Sequence, residues 1–219
     1  MIFVNYKTYE EGTGQKAVDL TRILESVAHE TQIKIIPVVQ ASDVKEAVSS
    51  TTLEVWTQKV DPVEFGAHTG SIVPEAVLED GAVGTFLNHS ESRPATFDEL
   101  AKTSDRAKSA GLKTLIFAKD IEELKNITSL SPNYLAYEPP ELVGSSTMSV
   151  STAKPEVIKE AAEIAKLAGI PLIVGAGIRS AEDIRKSLEL GAVGFAVSSS
   201  ILKAEDPRRE ILELTEGFK

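Results

Sequence analysis

Three ionisable side chains of this sequence stand where an apolar run gives way to a polar loop, and together they supply a cation, an imidazole and a carboxylate: Lys7, His89 and Glu138. Glu138 follows Tyr134-Leu135-Ala136-Tyr137 and precedes Pro139-Pro140. Proline lacks the ladder donor and fixes φ, so the strand must stop there. A carboxylate held partly desolvated at the carboxyl end of a parallel strand has its pKa pushed toward the range useful to a general base. The alternative is a surface loop with a solvated Glu138. Pro139-Pro140 at one end and Gly144-Ser145-Ser146 at the other give the stretch a stiff start and a pliant finish, as a lid requires.

His89 lies in Phe86-Leu87-Asn88-His89-Ser90-Glu91-Ser92-Arg93, which is polar from Asn88 onward directly after an apolar run. Backbone donors and a short helical turn beyond it would hold the imidazole neutral, able to give a proton to a developing oxyanion. His29, near the end of an amphipathic helix, has no such setting and reads as surface. Asn5 and Lys7 end the first apolar run, where Asn5 can orient a neighbour and Lys7 offers a point charge to an anion. An ordinary exposed lysine is the alternative. Late in the chain, Gly175-Ala176-Gly177-Ile178-Arg179-Ser180 and Ser198-Ser199-Ser200 are small enough to let backbone N–H groups close around a phosphate.

The elements that must position these residues alternate eight times. Strands are expected at Ile2 to Asn5, Ile33 to Val39, Leu53 to Gln58, Val83 to Leu87, Lys113 to Ala118, Tyr134 to Glu138, Pro171 to Gly175 and Val193 to Val197. Helices are expected at Gln15 to His29, Ser42 to Ser49, Pro74 to Glu79, Thr96 to Ala110, Asp120 to Asn126, Lys154 to Ala168, Ala181 to Leu190 and Asp206 to Phe218. Gly111, Gly169 and Gly191 follow three of them, where a left-handed residue ends a helix. Strands apolar on both faces in a repeated β-α order predict an α/β fold, a (β/α)8 barrel of one domain over residues 1–219. Eight such units with short connections need roughly 190 residues, so the barrel fits with few insertions. A doubly wound open sheet is the competitor, but no Gly-x-Gly-x-x-Gly follows the first strand.

A formal net charge of -10 argues against nucleic acid and anionic membranes as partners, both of which need a basic face. It does not argue against a small phosphorylated metabolite, which a few N–H groups and one lysine can hold. The absence of cysteine removes disulfides, thiolate catalysis and Cys-based zinc sites. No apolar run approaches the ~20 residues of a membrane span, and the start lacks a basic, then long apolar, leader, so a cytoplasmic location is expected.

The ordered set Asn5-Tyr6-Lys7, Asn88-His89-Ser90-Glu91 and Tyr137-Glu138-Pro139-Pro140, on the first, fourth and sixth strands, resembles the triosephosphate isomerase family, and the likeness runs from Phe3 to about Pro207. The short helices and the form Glu138-Pro139-Pro140-Glu141-Leu142-Val143-Gly144 are similar to its compact archaeal-type members. The resemblance implies a cofactor-free, metal-free isomerase of glycolysis and gluconeogenesis that interconverts dihydroxyacetone phosphate and D-glyceraldehyde 3-phosphate through an enediolate. It gives Glu138 the role of base, His89 that of neutral electrophile and Lys7 that of cation over the substrate. Asn5 and Glu91 would position Lys7 and the oxyanion site, with Ser90 and Gly144 in support. Val143, Gly177, Ser198 and Ser199 match positions whose backbone groups hold phosphate and close the site.

Two departures stand out. Longer family members carry a lid tryptophan and Gly-Gly in the eighth loop, where this chain has Glu141-Leu142 and Val197-Ser198-Ser199. Gly66-Ala67-His68-Thr69-Gly70 resembles the family's third loop, which reaches into a partner subunit and so implies a homodimer or homotetramer; a plain Gly-rich turn is the alternative. Two rival functions remain at this level. One is a different sugar-phosphate or aromatic-biosynthesis step on the same barrel, for which no second acid appears at a strand end after Glu138. The other is a non-catalytic metabolite-binding module.

Overall fold

The computed structural model describes residues 1–138, 155–175 and 177–219. Eight strands are parallel and close in chain order: β1 (Ile2–Asn5), β2 (Ile35–Val39), β3 (Trp56–Thr57), β4 (Gly84–Leu87), β5 (Lys113–Ala118), β6 (Tyr134–Tyr137), β7 (Leu172–Val174) and β8 (Gly194–Val197). Closure is made by β1 against β8, with Phe3 opposite Ala196. This is the (β/α)8 barrel that the repeated pattern predicts. Nine helices lie among the described residues: α1 (Gln15–Thr31), α2 (Val44–Ser49), α3 (Pro74–Glu79), α4 (Phe97–Ala110), α5 (Ile121–Thr128), α6 (Pro155–Leu167), α7 (Ala181–Glu189), α8 (Ser199–Leu202) and α9 (Pro207–Thr215). None is long and apolar enough to cross a membrane.

The two-residue period of each strand divides the core into two layers. Phe3, Ile36, Val38, Trp56, Phe86, Leu115, Phe117, Ala136, Ile173 and Ala196 fill the barrel, while their neighbours Ile2, Val4, Ile35, Val39, Ile116, Leu135, Leu172 and Val174 pack in the outer, helix-side layer. Both faces are therefore dry, which is why the strands carry apolar residues without alternation.

The filling of the barrel is aromatic, and it leads toward the carboxyl ends of the strands. Phe3 meets Trp56 edge-on at 5.1 Å between centroids and Tyr134 at 5.6 Å; Phe86 then meets Phe117 at 4.9 Å, and Phe117 meets the His89 ring at 4.9 Å and 80°. Each fully buried ring contributes roughly 1.5–3 kcal/mol of transfer free energy, so the column that supports His89 is also a large part of what holds the barrel shut. Gly84 makes room for it. A Cβ at position 84 would stand 2.6 Å from the Trp56 indole, closer than any side chain tolerates.

Local signals set most helix boundaries. Thr96 caps α4 by accepting the Glu99 N–H, Asp120 does the same for α5 from Glu123, and Ser180 with Asp183 forms a reciprocal capping box on α7. Gly111 ends α4 in the left-handed region at φ 103°. Where the structure departs from the sequence reading, a side chain has usually replaced a ladder or a glycine. α1 continues to Thr31 rather than stopping at His29 because Gln32 takes the left-handed position (φ 60°) and its own amide donates to the His29 carbonyl at 2.7 Å. The third strand is only Trp56–Thr57, since Thr52 is tied through both its N–H and its hydroxyl to Glu25 of α1 at 2.6 Å instead of to a neighbouring strand. The last helix ends at Thr215 and tightens into a 3-10 turn, Glu216–Phe218.

Candidate active site

The carboxyl ends of the strands surround a cavity of about 350 Å³ whose wall contains Asn5, Lys7, His89, Glu91, Glu138, Gly177, Ser198 and Ser199. Closure of β1 onto β8 brings residues from opposite ends of the chain to one opening. Ser90 is beside Glu138, near enough for its hydroxyl and N–H to favour the charged carboxylate. Val143, which the resemblance assigns to phosphate binding and closure, and Gly144, given a supporting role, lie outside the described residues.

Glu138 continues the β6 ladder by donating its N–H to the Ala118 carbonyl at 2.9 Å, and only 5 % of the residue is exposed. Burial raises its carboxyl pKa from 4.5 to about 7; the adjacent Ser90 and the Lys7 charge pull it back part of the way, while Glu91 pushes it up. One oxygen, Oε2, has no partner among the described residues. A buried acceptor in that condition is costly to the fold and ready for a ligand. Gly175 gives it space, because a Cβ there would press on Phe117 at 3.3 Å and on the Glu138 Cβ at 3.4 Å.

His89 is 7 % exposed. Its Nδ1 accepts the Glu91 N–H at 3.2 Å, which leaves the proton of a neutral ring on Nε2. That nitrogen faces Asn5 at 3.5 Å and Glu138 Oε1 at 3.7 Å. Burial, and then the nearby positive charges of Lys7 and Arg93, lower the imidazole pKa from 6.5 to about 4, against an opposing pull from Glu91. The ring is therefore neutral wherever the carboxylate beside it can act as a base.

Lys7 sits in a left-handed backbone conformation, φ 48°, which costs a non-glycine residue roughly 1 kcal/mol or more. Two side chains hold it there. Asn5 Oδ1 accepts its N–H at 3.0 Å, and Gln58 Nε2 donates to its carbonyl at 2.7 Å. The turn aims the ammonium along the rim, where it meets Glu91 Oε1 at 2.7 Å. Past β7 and β8, on the side where the sheet closes onto β1, Gly177 is also left-handed (φ 69°), and Ser198 precedes the short α8 with a buried hydroxyl that has no partner among the described residues. Small residues thus line this side of the cavity, as an anion with several oxygens would need.

The triosephosphate isomerase family model matches residues 1–216. The chain belongs to that family. Among curated triosephosphate isomerases, that of Metallosphaera sedula is 40% identical over 218 residues, covering 99% of this chain and 95% of the relative. Those of Saccharolobus solfataricus and Methanosarcina acetivorans are 41% and 39% identical, covering 96% and 97% of this chain and 92% and 96% of theirs. As in the sequence reading, this triosephosphate isomerase family member has serines in the eighth loop, and the structure places Ser198 and Ser199 at the end of β8 and the start of α8.

Sequence reasoning missed Gln58, although the rule that selected Asn5 applies to it: it is a polar residue at the carboxyl end of an apolar run. It also missed Glu123, whose contacts with Asn88 and Arg93 span 35 and 30 residues and leave no local pattern. His29 is on the surface, with its side chain 68% exposed.

Proposed function

We propose that this chain interconverts dihydroxyacetone phosphate and D-glyceraldehyde 3-phosphate, with Glu138 as the base. The observation that supports this most is the pairing across one cavity of a carboxylate poised near neutrality with an imidazole held neutral, their nearest atoms 3.7 Å apart. Glu138 takes the proton from the carbon beside the carbonyl, and the released electron pair moves onto the carbonyl oxygen to form the enediolate. His89 Nε2–H donates to that oxygen as its charge grows, and Lys7 adds a cation. His89 Nε2 passes its proton to that oxygen and takes up the proton of the neighbouring hydroxyl, whose oxygen forms the new carbonyl as Glu138 returns its proton to the former carbonyl carbon. No electrons leave the substrate, so the step needs no oxidant.

A coupled assay that supplies glyceraldehyde 3-phosphate and follows dihydroxyacetone phosphate decides the matter. Isomerisation well above the uncatalysed rate is the expected result; a rate equal to background would move the reading to another sugar-phosphate reaction. The same reading makes the enzyme a homo-oligomer. Arg106 of α4 anchors the base of the third loop by donating to the Val63 carbonyl at 3.1 Å and to Glu75 at 2.7 Å, whereas Phe65 above it is 76% exposed. A stiff loop that presents an aromatic side chain to water favours burial against a second copy. Light scattering should give at least twice the 23.5 kDa chain mass, and a monomer at micromolar concentration would refute it.

A further inference from the structure

The loop of residues 88 to 93 carries His89, Ser90 and Glu91, and its internal hydrogen bonds fix the imidazole only relative to the loop. Ser92 N–H donates to the His89 carbonyl at 2.8 Å, and Glu91 N–H donates to the ring at 3.2 Å. Glu91 meets Lys7 at 2.7 Å and the His89 ring packs on Phe117, but the two ends of the loop are tied to the barrel through one carboxylate. Asn88 Nδ2 donates to Glu123 Oε1 at 3.1 Å as well as to the Phe117 carbonyl at 2.8 Å. Arg93 Nη1 donates to Glu123 Oε1 at 2.9 Å and Oε2 at 3.1 Å.

Glu123 is itself firmly held. Its Oε2 accepts the Lys119 N–H at 2.7 Å, and its own N–H donates to Asp120 at 2.7 Å, so the side chain stands in the capped first turn of α5, at the positive end of the helix. The charge-assisted contacts to Arg93 are stronger and more directional than neutral ones. Asn88 is left-handed at φ 59°, a conformation that a non-glycine residue keeps only when its surroundings hold it, and the turn it makes sets the direction in which the chain leaves β4 for His89. A carboxylate from α5 therefore joins the first and last residues of the loop to the β5–α5 connection, with His89 between them.

We propose that Glu123 is a positioning residue for His89, acting as a clamp across the loop through Asn88 and Arg93. Its kinetic consequence rests on the isomerase reading above, while its structural consequence does not. Loss of the clamp leaves Asn88 with only the Phe117 carbonyl and takes from Arg93 the carboxylate to which it donates, so the imidazole loses its fixed place against the substrate oxygens. Displacement of a reacting group by about an ångström costs about 100-fold in rate, and a partial release correspondingly less.

The test compares Glu123→Ala, Glu123→Gln and, as a control, Glu122→Ala, which removes a neighbouring exposed charge from the same helical turn. The readouts are the His89 ring resonances in protein labelled with 15N-histidine, assigned by their loss in His89→Gln, together with kcat and KM. In Glu123→Ala the His89 resonances should shift and broaden, and kcat should fall about 10- to 100-fold with KM changed by less than about twofold. Glu123→Gln keeps one acceptor and should fall between it and wild type; Glu122→Ala should match wild type in both readouts. A folded Glu123→Ala with unmoved His89 resonances overturns the proposal, whatever happens to kcat. If Glu123→Ala does not fold, Glu123→Gln carries the same comparison, and unmoved resonances there overturn the proposal equally. If the wild type proves inactive, the isomerase reading fails, and the resonances still decide the clamp.

Discussion

Glu138→Asp is expected to lower kcat by about 100-fold or more while leaving the chain folded. Shortening the side chain by one carbon withdraws the carboxylate by about 1.5 Å, and the backbone cannot follow it. The Glu138 N–H is bound to the Ala118 carbonyl at 2.9 Å, and the next strand closes on the other side through Gly175 N–H to the Tyr137 carbonyl at 3.0 Å. Reaction needs the base within about 3–3.5 Å of the carbon that bears the proton, so the gap opens at the bond being broken. Glu138→Gln separates catalysis from stability more sharply still. It removes the base at nearly constant volume, and it also removes a buried carboxylate whose ionisation the fold disfavours. Activity in the coupled assay should vanish into background while the urea midpoint, followed through Trp56 as the chain's one tryptophan, rises at pH 8. Wild-type turnover in either variant would remove Glu138 from the mechanism.

Much of this arrangement was legible because the barrel turns a one-dimensional signal into a place. A polar residue directly after a doubly buried strand has to emerge at the carboxyl end, and closure puts all such ends on one rim, so Asn5, Lys7, His89 and Glu138 converge though 133 positions separate the first from the last. The helix boundaries were readable where caps and glycines mark them, as at Thr96 and Gly111. The reading failed where a long-range side-chain contact replaces a local rule. Glu25 reaching Thr52 shortens β3, and Gln32 takes the place of a glycine at the end of α1. Gln58 under Lys7 and Glu123 under the His89 loop belong to the same class. Each is a hydrogen bond between elements that only the fold brings together; the end of an apolar run marks Gln58 as a candidate, but no local pattern names its partner or points to Glu123.

The two site pKa values predict an activity that depends steeply on pH and a stability that hides the cause. With the Glu138 carboxyl at about 7 in the free enzyme, kcat/KM should approach a tenfold fall per unit below that pH, about 50-fold between pH 7 and pH 5 because half the carboxyl is already protonated at pH 7, and His89 at about 4 adds no limb in that window. For stability the signs oppose. Between 4.5 and about 7 the folded state holds the Glu138 proton and the unfolded chain does not, so this stabilisation is complete below 4.5 and is lost as pH rises through 7. Between about 4 and 6.5 the unfolded chain holds the His89 proton and the folded state does not, so this contribution is complete above 6.5 and is lost as pH falls through 4. The shifts are of similar size, each worth about 3 kcal/mol, and they cancel over most of their common range. Substitution should expose each half. Relative to wild type, Glu138→Gln should gain stability as pH rises from 4.5 to 7, and His89→Gln as pH falls from 6.5 to 4, both read from urea unfolding at a series of pH values. A stability difference for Glu138→Gln that is flat across that range would mean an ordinary carboxylate at position 138, and kcat/KM should then lose its steep fall between pH 7 and pH 5.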